Sequence, residues 1–121
     1  MEKGSTRRVL RIGSWAIKFA RGNDGVRCNQ LEADLYGRSP AHRQSMLCPV
    51  LWHSSPAFIL IMRRAETPIT HGDADERRTN AESEWSYGGA GDDELPFEFK
   101  PKDWGYLYGK KVAVDYANSA R

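Results

Sequence analysis

Between residues 8 and 20 the apolar side chains fall at Val9, Leu10, Ile12, Trp15, Ile17 and Phe19, which predicts two strands joined by a tight turn at Gly13-Ser14. Alternation along the second strand puts Trp15, Ile17 and Phe19 on one face and Ala16, Lys18 and Ala20 on the other. Lys18 thus stands between small neighbours, with room for its ammonium group to reach a partner. The turn formers Arg21-Gly22-Asn23-Asp24-Gly25 predict a loop. A helix over 26–36 follows, because Cys28, Leu31 and Leu35 recur at helical spacing and Gly37 is placed to end it. Glu32 borders that apolar stripe. Ser39-Pro40 reads as an N-cap and first-turn proline of a short helix reaching Met46.

Two short apolar runs, 50–52 and 58–62, flank His53-Ser54-Ser55-Pro56 and predict neighbouring strands joined by a turn. The second run does not alternate, so it is expected to be buried on both faces. Residues 70–95 read as a polar connector; within it, 73–85 has capping-box spacing at Asp73 and Glu76 but only a thin apolar stripe. Gly88-Gly89-Ala90-Gly91 predicts a loop, and the acids that follow it would repel phosphate, against a phosphate cradle there. In the tail, 104–108 and 111–116 predict two strands around Gly109-Lys110. Asp115 closes the apolar run Val112-Ala113-Val114, a position that suits either a metal or substrate contact or a turn initiator.

The chain has 121 residues, the size of one domain, and 40% hydrophobic with 11% aromatic content argues for folding over disorder. A frayed start is expected over 1–7. The net charge of +2 lacks the concentrated positive field of a dedicated nucleic-acid binder. Its local blocks, Arg7, Arg8 and Arg11 near the start and an acidic third quarter, read as solvated faces. Without an apolar run near the ~20 residues of a membrane helix, or a secretory signal, a cytoplasmic location is the default expectation. Cys28 and Cys48 are then expected to stay reduced, and no histidine stands at metal-ligand spacing.

Several of these landmarks occur in a telling order. Trp15-Ala16-Ile17-Lys18 is similar to the Val-Ala-Ile-Lys strand motif of protein kinases, and Glu32 in Leu31-Glu32-Ala33 stands where their helix glutamate would be. Arg63-Arg64-Ala65-Glu66 occupies the place of the hinge. Glu98-Phe99-Lys100-Pro101-Lys102-Asp103 looks like the catalytic loop, and Asp115-Tyr116-Ala117 looks like the Asp-Phe-Gly motif. Across 9–117 the chain therefore resembles the protein-kinase-like fold in a minimal, truncated form. The resemblance implies an α+β domain in which a curved antiparallel sheet carries one principal helix, a reduced kinase N-lobe. It also implies roles: Lys18 on the α- and β-phosphates of ATP and paired with Glu32, Asp103 and Asp115 on magnesium, Lys100 on the γ-phosphate, and Glu98 as catalytic base. The departures are a missing glycine-rich loop before Val9, Pro96 and Phe97 where His and Arg precede the catalytic Asp, and Ala117 in place of glycine. The activation segment and helical lobe are expected to be absent.

These readings favour a degenerate or minimal kinase-like module acting in protein interaction, with residual nucleotide binding, over a working enzyme. Self-association or a protein partner would cover the open sheet edge and apolar face that truncation leaves. The alternatives are a small phosphotransferase dependent on ATP and magnesium, and a nucleic-acid accessory protein using Arg7, Arg8, Arg11, Arg63 and Arg64, which the near-balanced charge disfavours.

Overall fold

The structure is a computed structural model that describes residues 6–86 and 95–116. Its elements are β1 (Arg7–Ile12), β2 (Trp15–Ala20), α1 (Gly22–Arg38), α2 (Ala41–Gln44), β3 (Val50–His53), β4 (Ile59–Arg63) and α3 (His71–Ser86). A single 3-10 turn, Pro101–Asp103, then leads into β5 (Trp104–Leu107) and β6 (Lys110–Ala113). The first four strands form an antiparallel sheet in the order β1-β2-β4-β3, and β5 and β6 form a separate antiparallel hairpin. The architecture is α+β, with two sheets in place of one and with α3 as a second long helix beside α1. The Gly88 loop and Ala117 lie outside the described residues.

Backbone bonds from both strands of the hairpin tie it to the rest of the chain. The Cys48 N–H donates to the Ala113 carbonyl at 2.8 Å, and the Ala113 N–H donates to the Met46 carbonyl at 2.8 Å. On the other strand, Glu66 and Tyr106 exchange N–H···O bonds of 2.9 and 2.8 Å. Buried polar backbone groups must find such partners, so the hairpin has little freedom to slide, and the residues after β6 are delivered to one place. The core contains Leu47 and Cys48, Leu60 and Met62 of β4, Trp85 of α3, Phe97, and Trp104, Val112 and Ala113 of the hairpin. Phe97 meets Trp85 and Trp104 edge-on, with centroids 5.6 and 5.0 Å away.

Several expectations are corrected here. Residues 1–7 were expected to fray, yet Arg7 opens β1 and is 7% exposed. The Gly22 to Gly25 stretch forms the first turn of α1 instead of a loop, because the chain there lies on the β1–β2 hairpin, with the Arg21 N–H bonded to the Thr6 carbonyl at 2.7 Å. Ser39 does not cap α2. Both its N–H and its hydroxyl bond back to the Leu35 carbonyl, so it closes α1. β4 alternates in burial, with Leu60 and Met62 buried and Ile59, Ile61 and Arg63 only half-buried. The β5–β6 turn falls at Tyr108-Gly109, both with positive φ (52° and 77°), the backbone twist that suits a two-residue hairpin turn.

The expected polar connector contains α3, with Ala74, Ala81 and Trp85 buried. Its N-terminus is capped by Thr70, whose hydroxyl accepts the Asp73 N–H at 3.0 Å, and the Asp73 carboxylate instead accepts the Tyr106 hydroxyl. The helix is held less by an apolar stripe than by contacts of this kind. The Arg43 guanidinium lies 4.6 Å from the Trp85 ring centroid and donates to the Trp85 carbonyl at 2.7 Å.

Close approach fixes the start of α1. A Cβ on Gly25 would lie 2.3 Å from the Thr6 carbonyl oxygen and 2.8 Å from the Ala20 Cα, both backbone atoms that cannot yield. Gly37, in the last turns of the same helix, has nothing within 4 Å of that position. Gly25→Ala should therefore destabilise the fold by roughly 1–3 kcal/mol through overpacking, whereas Gly37→Ala should stabilise it by about 0.5–1 kcal/mol through helix propensity. Urea unfolding of the two variants should move the midpoint in opposite directions.

Candidate functional site

The alternation of β2 points Lys18 inward beneath the sheet, where α1 packs. On α1, Asn29 and Glu32 are three residues apart and share the face turned to the strands. On β1, Arg7 shares the inward phase with Val9 and Arg11, and Arg7 reaches the same point. The result is an ion cluster around a carboxylate with no exposure to solvent. Glu32 Oε1 accepts Lys18 Nζ at 2.8 Å and Arg7 Nη1 at 2.5 Å, while Oε2 accepts Arg7 Nη2 at 3.3 Å and the Tyr116 backbone N–H at 2.8 Å.

The cluster continues toward the hairpin. Arg7 Nη2 also lies 3.2 Å from Asp115 Oδ1, and Lys18 Nζ donates to the Val114 carbonyl at 2.6 Å. Asn29, itself fully buried, accepts Arg7 Nη1 at 3.2 Å and donates to the Lys18 and Ala57 carbonyls at 3.2 and 3.0 Å. Two cations thus meet two carboxylates, and Glu32 has partners on both oxygens, the condition under which buried charge is tolerated. Burial pushes the Glu32 carboxyl upward, but Lys18 and Arg7 outweigh it and hold the group down at about 2. The same contacts raise the Arg7 guanidinium against the opposing effect of burial.

Next to the cluster opens a cleft of about 580 Å³. Val9, Ala16, Cys48, Met62, Ala65 and Val114 supply apolar surface, Arg7, Arg11, Lys18 and Lys102 supply positive charge, and Asp103 and Asp115 supply acids; Thr67, Arg8 and Arg63 complete the lining. Asp103 is joined to the segment after β6 because its carbonyl accepts the Val114 and Asp115 N–H groups at 2.8 and 3.3 Å. Its carboxyl is pushed up to about 6 by burial, then by the charges of Asp115 and Glu98, against Lys100 and Lys102. Cys48 is an inert wall: burial raises its thiol to about 11, far from thiolate chemistry at neutral pH.

Of the residues singled out in the sequence, Lys18, Glu32, Asp103 and Asp115 converge. Glu98 and Lys100 do not enter the lining of the cleft; they pair with each other at 3.2 Å, with the Lys100 side chain 58% exposed. Asn29 was missed, Arg7 was named only as a nucleic-acid contact, and Tyr116 only as the middle of the Asp115-Tyr116-Ala117 motif. The signal for Asn29 was its spacing of three from Glu32, and for Arg7 its inward phase on β1, although nothing local marks Arg7 as buried.

The magnesium site implied by the kinase resemblance fits these residues poorly. Asp115 is engaged by a guanidinium, and among the described residues no group of three or more His, Cys, Asp or Glu could hold a metal ion. No described helix is long and apolar enough to cross a membrane. Compared with protein-family models, with curated proteins and with solved structures, the chain has no match.

Glu32 is the hub of the cluster, so its loss and that of Lys18 should differ. Glu32→Gln strands two buried cations and should cost about 3–5 kcal/mol, while Lys18→Met leaves the Arg7–Glu32 pair intact and should cost less. Denaturant unfolding gives both values. The pH dependence has two parts. Because the Glu32 carboxyl is depressed to about 2, its contribution is present above the unfolded value of 4.5 and is lost as pH falls toward 2. Asp103 acts in reverse: its carboxyl is raised from 3.8 to about 6, so stability should decline as pH rises through that window. Asp103→Asn should abolish the decline and add roughly 1–3 kcal/mol at neutral pH, read from thermal or urea melts across the range.

Proposed function

We propose that this protein is a reduced kinase-like binding module whose cleft takes a phosphorylated ligand with a flat apolar part, of the nucleoside-phosphate class, without metal and without efficient phosphoryl transfer. The observation that carries this reading is the buried Arg7–Glu32–Lys18 cluster, with Asp115, set against a cleft of mixed apolar and basic lining. Ala16, Met62 and Ala65 offer apolar surface to a ring system, and Arg11 and Lys102 offer charge to phosphate oxygens. Lys18 uses two of its three ammonium hydrogens on Glu32 and Val114, leaving a donor at the inner wall.

Transfer chemistry is disfavoured by the same geometry. Phosphoryl transfer depends on metal ions that neutralise the developing charge and on a positioned base. Here Asp115 is bonded to Arg7, and the nearest analogue of the base, Glu98, is bonded to Lys100. The Arg7 guanidinium occupies the electrostatic role beside Asp115 that a divalent cation has in active kinases, so ligand binding should be insensitive to its removal.

The test is a thermal shift and calorimetric titration with ATP, in magnesium and in EDTA. Stabilisation by ATP of similar size in both buffers is expected. Arg11→Glu, an exposed change, and Ala16→Trp, which fills the cleft, should each weaken binding at least tenfold without loss of fold. ADP release should stay at background. Absence of any shift with ATP would overturn the ligand class; a shift that requires magnesium would overturn the metal-free mode.

A further inference from the structure

The face of the four-stranded sheet turned away from α1 is the largest unexplained feature of the molecule. Strand register places Leu10, Ile17, Ile61 and Trp52 in one row across all four strands, an apolar band without a charge in it. On the same face, Leu10 is 50% exposed, Ile12 56%, Trp15 47%, Phe19 37% and Trp52 53%. Among the described residues nothing covers them. Side chains presenting roughly 150–250 Å² each at such exposures leave on the order of 600 Å² of apolar surface open, beyond what single scattered apolar residues explain.

We propose that this face docks a second copy of the chain, sheet on sheet, about a twofold axis running parallel to the strands between β2 and β4. The register makes the face complementary to itself under that operation. Leu10 of one copy meets Trp52 of the other, and Ile17 meets Ile61. The charge on the face is accommodated as well. Arg63 stands opposite Trp15 within one copy, so the rotation lays each Arg63 guanidinium over the other copy's Trp15 ring, a cation–π contact. Arg8, opposite Phe19 at the far end of edge strand β1, stays at the solvated rim. Face-to-face sheets pack with strands within about 30° of parallel, compatible with this axis. Two such faces bury on the order of 1,200 Å² together, the lower end of specific, stable interfaces.

The experiment is sedimentation velocity of the full chain up to roughly 500 µM, the range that detects dissociation constants into the high micromolar. The wild type should shift with concentration from 13.7 kDa toward twice that mass. Leu10→Glu and Trp52→Lys, both at exposed positions, should each remain monomeric with unchanged circular dichroism, and a mixture of the two should recover dimer because glutamate then faces lysine across the interface. Acrylamide quenching gives an independent reading. Trp15 and Trp52 should become protected with concentration in the wild type alone, against the constant background of buried Trp85 and Trp104. A wild type that stays monomeric throughout overturns the proposal, as does a dimer that survives Leu10→Glu, or a monomer that instead co-sediments with anionic phospholipid vesicles. None of these readings depends on a ligand in the cleft.

Discussion

A carboxylate removed from water must be matched by positive charge and hydrogen-bond donors, and in this protein that requirement organises the chain. Glu32 draws Arg7 from β1, Lys18 from β2 and the Tyr116 amide from beyond β6 to a single point. Arg7 also bonds to Asp115, 108 residues further along the chain. Their attraction does not make the cluster a large net source of stability, since desolvation of each ion offsets much of the Coulomb gain. Its effect is on specificity. Alternative packings of β1, α1 or the hairpin would each leave an ion stranded, so the cluster selects one arrangement of elements.

That arrangement explains the character of the cleft. The hairpin, fixed by its bonds to Cys48 and Glu66, carries Asp115 to the ion cluster, and the 3-10 turn holds Asp103 beside it. The two acids fare differently because their surroundings differ. Asp115 is half-exposed and faces a guanidinium, whereas Asp103 is buried near other carboxylates and is pushed up. Arg7 thus already offsets the charge of the outer acid.

The two faces of the large sheet divide the work. One is closed by α1 and the hairpin and holds every charge of the cluster; the other is open and mostly apolar, with Arg8 and Arg63 at its ends. The alternating burial of β4 reflects this division, with Leu60 and Met62 buried and Ile59 and Ile61 half-buried. Because the cluster and the open face lie on opposite sides of the same strands, their properties can be separated by substitution.

Local pattern determined a good deal. The β1–β2 hairpin, the inward direction of Lys18, the helical setting of Glu32, the paired strands β3 and β4 and the final hairpin follow from alternation, helical spacing and turn residues, all properties of neighbours in the chain. Tertiary structure alone decided the rest. It turned the glycine-rich entry of α1 into helix by laying it on the hairpin, gave the thinly apolar α3 its contacts with Arg43 and Tyr106, and left Phe58 exposed and Ile59 and Ile61 half-buried in the apolar 58–62 run. It also buried Arg7, which reads as an exposed basic residue until Glu32 and Asp115 approach from distant parts of the chain. Periodicity reports which way a side chain points relative to its own element, while charge pairing and burial depend on what arrives opposite, and that is set only when the whole chain has packed.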